Sequence, residues 1–352
     1  MSILAIHFRR PRHLLTGHAA MNRERHNRQP TVAVLLTGDV DFSTHHWEED
    51  KQRAFEHMLR AGRELAGSFT FFFVAREAQQ VSEYPRMLRE AGHEIGCHGL
   101  THGDEEEYDT MPLGMQEEYL QKASDILHSL SGTEVLSFRG PRVKVSGPTL
   151  NILSRMGFVA DSTVCSQRFD LVSSNLIHVG WLKAPRRPYH PSAADAYKRG
   201  KLAILEVPIS AFGLPFISSA LYVLGVRFMK AAFRLLYWES RKTGKPIVYL
   251  FHPYEFADEI RGAKDYRANL KVHGIRFRRH LYRGDAASKL DWNLELWKYM
   301  AGFDGVRFMS VAQFAGLERL VEPNPQGAIA SNGAGSFPTG GPSMTGLMRG
   351  RG

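Results

Sequence analysis

TVAVLLTGDVD, residues 31–41, is the stretch that decides the fold. Its first seven residues are apolar or β-branched without a break, the pattern of a strand buried on both faces. Two carboxylates follow at once, Asp39 and Asp41, spaced so that an extended chain turns both to one side. The same order recurs downstream. Apolar runs at 68–74, 94–97, 135–138, 158–160, 203–207, 247–251 and 306–309 read as strands. Amphipathic stretches at 48–65, 82–91, 115–130, 149–156, 286–301 and 311–320 read as helices. Strand and helix in alternation predict a parallel α/β sheet or barrel, with the polar residues of interest past the strand ends.

Five polar clusters stand there. Asp39 and Asp41 follow the first strand. His98 and His102 follow the third, four apart, a spacing that brings two imidazoles to one side of a helical turn and suits a zinc-like ion. Arg139 and Arg142 follow the fourth, Asp161 the fifth, and His252 closes the run IVYLF. Read singly, each has an ordinary explanation: an Asp pair caps helices, a chance His pair is common among 16 His, an Arg sits on a surface, and a His settles into a core. Together they are the parts of a metal-assisted hydrolase. Two His and a carboxylate leave room for water at a metal, a second carboxylate takes its proton, and a separate His protonates the leaving group.

These motifs, in this order over residues 31–255, resemble the polysaccharide deacetylase (NodB-homology) superfamily, carbohydrate esterase family 4. EIGCHG at 94–99 and IVYLFHPYEF at 247–256 are the most specific pieces, and LEVPIS at 205–210 is similar to the branch associated with exopolysaccharide biosynthesis. The resemblance implies a distorted (β/α)7 barrel that removes an N-acyl group from an amino sugar in a polysaccharide or lipid-linked glycan. It implies a divalent metal, Zn2+ foremost, held by Asp41, His98 and His102. It makes Asp39 the general base oriented by Arg139, and His252 the general acid tuned by Asp161. Leu250 would line the acyl pocket, and the backbone N–H of Arg142 would meet the oxyanion. Three departures stand out: Val40 separates the two aspartates, Arg142 replaces an aromatic residue, and no Trp follows Asp161. Asp-Val-Asp forms also occur in ureide and cyclic imide hydrolases and in lipid-linked aminosugar deformylases, which stay as rivals beside a non-catalytic glycan-binding module.

Composition bounds the rest. The 352 residues carry a net charge of +9, of which residues 1–30 hold +5 and residues 321–352 hold +1. A catalytic domain at 31–321, left with +3, argues little for nucleic acid. Basic 1–30 and Gly/Pro/Ser-rich 322–352 read as disordered tails. Two cysteines, Cys97 and Cys165, make no disulfide framework and fit a cytoplasmic setting. Residues 207–226 lack charge but are broken by Pro208, Gly213, Pro215 and Gly225. Beyond them, Arg227, Lys230 and Arg234 alternate with Phe228, Phe233 and Trp238. That pattern suits a helix packed on a sheet or one lying at the inner face of a membrane, with the basic stretch 267–283 as a second contact.

Overall fold

The computed structural model describes residues 31–42, 48–167, 179–257 and 285–321. Both expected tails and the basic stretch 267–283 lie outside the described residues. The chain divides into a main unit ending at Gly316 and a short one, Leu317–Gly352.

The opening strand, β1 (Val32–Val40), is buried at all nine positions. It sits at the heart of a parallel sheet whose members are β2 (Thr70–Phe73), β3 (Glu94–Cys97), β4 (Ser137–Phe138), β5 (Ala160–Asp161), β6 (Leu205–Glu206), β9 (Ile247–Phe251) and β10 (Val306–Phe308). The order is β10-β1-β2-β3-β4-β5-β6, with β9 also paired to β1. The eight apolar runs thus become eight joined strands, one more than the seven-stranded barrel of the resemblance, because β10 adds to the start of β1 through Val32 and Val306. Beyond β6 the chain swings round to β9, where Ser210 N donates to Val248 O at 3.2 Å. The sheet is thus curled into the half-barrel with helices that defines a distorted (β/α) barrel.

Helices α1 (Glu48–Leu65), α2 (Tyr84–Glu90), α3 (Leu113–Ser131) and α4 (Gly147–Arg155) each lie between successive strands, as βαβ crossovers require. Ser146 caps α4 in a reciprocal pair with Thr149. After β6 come a hairpin, β7 (Ala211–Phe212) and β8 (Leu214–Pro215), and the long α5 (Ser218–Thr243). α6 (Ala286–Ala301) and α7 (Val311–Val321) complete the order. The hairpin was not legible in the sequence, since two-residue strands carry no period. Gly225, at φ 82°, breaks α5 into two segments.

An aromatic seam locks β1 and β9 over α6. Phe251 meets Trp297 in a tilted contact at 5.1 Å and Phe71 edge-on at 6.3 Å. Gly38 makes this packing easy, because a Cβ would stand 3.0 Å from the Phe251 ring and 3.2 Å from Phe71. Its neighbour in β1 is Asp39, so close packing of β1 on β9 fixes where that carboxylate points.

Candidate active site

Parallel strands bring their C-terminal ends to one rim, and the polar residues gather there. Arg139, wholly buried past β4, is the centre. Its Nη1 donates to Asp39 Oδ1 at 2.8 Å and to Thr37 Oγ1 at 2.9 Å. Its Nε and Nη2 donate to Ser162 O and Oγ at 2.8 and 2.9 Å. The guanidinium carbon stands 4.5 Å from the Phe72 ring centroid. Five donors held in a planar fork can orient a carboxylate as no ammonium can. Burial works to raise the Asp39 pKa, but the charge of Arg139, with His98 and His252 nearby, outweighs it and holds Asp39 below the usual carboxylate range.

His98 follows β3. Its Nδ1 lies 2.8 Å from Arg139 O. A carbonyl only accepts, so Nδ1 carries the hydrogen and Nε2 keeps a lone pair. That Nε2 stands 3.9 Å from Asp39 Oδ2. Burial pulls the His98 pKa down, and burial together with His98 and Arg142 pulls His102 down to about 3. Two neutral imidazoles with ring centroids 5.2 Å apart result.

They do not share a helical turn, as their spacing suggested. Residues 98–103 form a loop, with His102 at φ 57°. The loop is shaped by Glu106, wholly buried, whose carboxylate accepts from the backbone N–H of Leu100, Thr101 and His102 at 2.6, 2.6 and 2.9 Å and from Tyr108 OH at 2.6 Å. Arg142 braces the same loop from outside, donating to Gly103 O and His102 O at 3.1 and 3.2 Å. Glu106→Gln weakens several charge-assisted hydrogen bonds at once, and chemical denaturation should show a loss of about 1.5–3 kcal/mol. An unchanged midpoint would remove Glu106 from this role.

Asp41 stands two residues past Asp39, near enough to feel its charge. Burial, with Asp39 and Glu255 close by, pushes its pKa up to about 7 against the pull of His252. Its Oδ1 is buried and, among the described residues, accepts no hydrogen bond. An orphaned carboxylate oxygen and two neutral imidazoles are the donor chemistry a divalent cation requires. Among the described residues no three such side chains already close on one point.

His252 ends β9. Burial would lower its pKa, but Glu255, Asp41 and Asp39 raise it to about 9. Glu255 Oε1 lies 3.6 Å from His252 Nδ1. Glu255 is itself held by Ser218 Oγ at 2.9 Å and Tyr222 OH at 2.8 Å, both from α5. Tyr222 OH in turn accepts from Asn293 Nδ2 at 2.9 Å.

The family resemblance gave the tuning of His252 to Asp161, and the structure hydrogen-bonds Asp161 to Thr163 instead. Asp161 accepts from Thr163 Oγ1 at 2.6 Å and stands beside the buried Glu206. Burial raises both carboxyls, and their mutual repulsion leaves room for one charge. That pair lies toward Arg139. Leu250 is buried in β9 and bridges to Ile217. Cys97 is buried with its thiol pushed up to about 12, which makes it a poor nucleophile.

Residues 33–160 match the polysaccharide deacetylase family, so the chain carries a domain of the NodB-homology superfamily. A peptidoglycan deacetylase of Helicobacter pylori is 28% identical over 100 residues, 28% of this chain and 33% of that protein. A peptidoglycan deacetylase-like protein of Gibberella zeae is 26% identical over 100 residues, 28% of this chain and 29% of that protein. The chain thus spans about a third of the length of the curated relatives it matches. Among solved structures, a polysaccharide deacetylase-type protein from Mycobacterium smegmatis superposes with a TM-score of 0.56 at 18% identity, covering 84% of this chain and 92% of that one. An allantoinase superposes equally well, with a TM-score of 0.56 at 16% identity over 84% of this chain and 93% of its own. At these identities the superpositions speak for the fold.

Proposed function

We propose that the protein is a hydrolase that removes an N-acyl group, acetyl foremost, from an amino sugar in a polysaccharide or lipid-linked glycan. One observation carries this reading. A carboxylate kept ionised by Arg139 and an imidazole kept protonated beside Glu255 are close enough for each to shift the other's pKa, as an acid–base pair on one scissile bond must be.

With Asp41, His98 and His102 as its donors, a bound divalent cation, zinc foremost, supplies Lewis-acid polarisation of the acyl carbonyl. The remaining work falls to the chain. Asp39, aimed by Arg139, takes a proton from the attacking water. The backbone N–H of Arg142 donates to the oxygen that gains charge. His252 gives its proton to the departing amine, and Leu250 packs on the acyl methyl. Amide and water become a free amine and a carboxylic acid.

Acetate release from acetylated chito-oligosaccharides by the purified, zinc-supplemented protein is the direct test. Formylated sugars and allantoin in the same screen separate the other C–N hydrolases on this scaffold, and release from none of them retires the hydrolase reading. The ligand assignment has its own test. His98→Ala and His102→Ala should each lower bound metal, measured by elemental analysis, by about 10-fold or more at limiting free metal. Full retention in both would remove the two imidazoles from the ligand set.

A further inference from the structure

α5 has two apolar faces, and one of them is unpacked. Leu221, Tyr222, Met229, Phe233, Leu236 and Tyr237 are buried. Phe233 lies 6.2 Å from Tyr299 of α6 and 5.1 Å from Phe303 just beyond it. On the other side Phe228, Leu235 and Trp238 are 46%, 51% and 60% exposed. They follow the kink at Gly225, so one regular segment carries them. Their spacing of seven and then three residues sets them in one stripe. A surface helix ordinarily presents polar residues there.

The charges that the helix itself carries around the stripe are nearly all of one sign. Arg227, Arg234 and Arg241 recur every seven residues and so share one flank, with Lys230 between them and Lys242 at the end of the stripe. The sole acid from Val226 to Thr243 is Glu239, and it is taken by Arg186 at 2.6 Å and Lys245 at 3.2 Å. Arg186 also lies over the Phe212 ring, 5.9 Å from its centroid. That contact ties the β7–β8 hairpin to α5. The hairpin exposes Phe212 and Leu214 around Gly213. No helix among the described residues is long and apolar enough to cross a membrane, so such a helix would lie along a surface.

We propose that this ridge docks the protein on a bilayer bearing anionic phospholipid. Phe228, Leu235 and Trp238 enter the interface, while Arg227, Arg234 and Lys242 meet lipid phosphate. Apolar side chains ending in a Trp, rimmed by Arg and Lys, are what an anionic interface takes up. Lys230 is paired with Glu295 of α6 at 2.7 Å, so Arg227, Arg234 and Lys242 are the cations offered outward, a row of one sign that matches a sheet of lipid phosphate. The ridge also runs on from the site, since Ser218 and Tyr222 in the first turns of α5 hold Glu255. The docking reading stands apart from the catalytic one, because binding needs no turnover.

Flotation of the full chain with phosphatidylcholine vesicles, with and without phosphatidylglycerol, tests it. The protein should float with the anionic vesicles and be released by salt, the Debye length falling to about 3 Å at 1 M. The F228E/W238E double variant and the R227E/R234E double variant should each lower the bound fraction by roughly tenfold or more. All four residues are distant in role from the site, so acetate release from a soluble oligosaccharide should be unchanged. Thermal unfolding of each variant confirms its fold. Wild-type protein that fails to float overturns the proposal. So does F228E/W238E that floats as well as wild type, which moves the anchor to another segment. A dimer in sedimentation that F228E/W238E dissociates, with no vesicle binding, assigns the ridge to a second copy and equally overturns it.

Discussion

Asp39→Asn should lower kcat for acetate release by about 10²–10⁴-fold and leave the metal content near that of wild type. The amide keeps the shape of the carboxylate and can still accept from Arg139 Nη1, which now lies 2.8 Å from Oδ1. What it loses is the negative charge that accepts a proton. A second effect goes with it. Arg139 is wholly buried, and Asp39 is the carboxylate that answers its charge directly. Breaking such a pair from one side costs about 3–5 kcal/mol, here softened by Thr37 and Ser162, which still accept from the guanidinium. The assay therefore belongs at a temperature well below the variant's own unfolding midpoint. A folded Asp39→Asn protein that releases acetate at the wild-type rate would take the base role away from Asp39. Loss of metal along with activity would point instead to Asp39 as a ligand, a role its 3.9 Å approach to His98 makes worth measuring.

How much of this could be read in the chain follows from where the information lies. The run at 247–251 and the helix at 286–301 coincide with β9 and α6, because a buried strand and a long amphipathic helix each carry their own period. Polar residues after apolar runs meet at one rim because all the sheet's strands point the same way, so Asp39, His98, Arg139, Asp161 and His252 were all legible by position. The parts supplied by distant segments were not. Glu106 sits in the acidic run DEEEYD at 104–109, which reads as a solvated loop, and nothing local tells that it turns inward under His102. Glu255 needed Ser218 and Tyr222, more than 30 residues earlier, to fix it. Its place three residues after His252 was the one available signal, since that spacing suits a helical turn, and the structure forms a 3-10 turn there. The resemblance gave Asp161 the partnership with His252, whereas β5 delivers it to Thr163 and the neighbourhood of Glu206.

The pH profile separates the two carboxyls. His252 must hold a proton to act as the acid, and its pKa stands at about 9 because Glu255, Asp41 and Asp39 overcome the effect of burial. Activity should therefore persist through neutral pH and fall as pH rises toward 9. A bound cation near Asp41 repels an imidazolium, so the loaded enzyme's alkaline limb lies at or below that value. Stability carries the same sign. The unfolded imidazole titrates near about 6.5, so this contribution is complete below that pH and fades as pH rises through about 9. Glu255→Gln keeps the acceptor for Ser218 but removes the charge 3.6 Å from Nδ1. The alkaline limb should move to lower pH, with kcat reduced at pH 8 and largely restored at pH 6, and KM little changed. Asp161→Asn should leave that limb in place, because its carboxyl faces Thr163 and Glu206. If the limb moves in Asp161→Asn and stays in Glu255→Gln, the partnership runs as the family resemblance implied, and Glu255 serves only to brace the turn after β9.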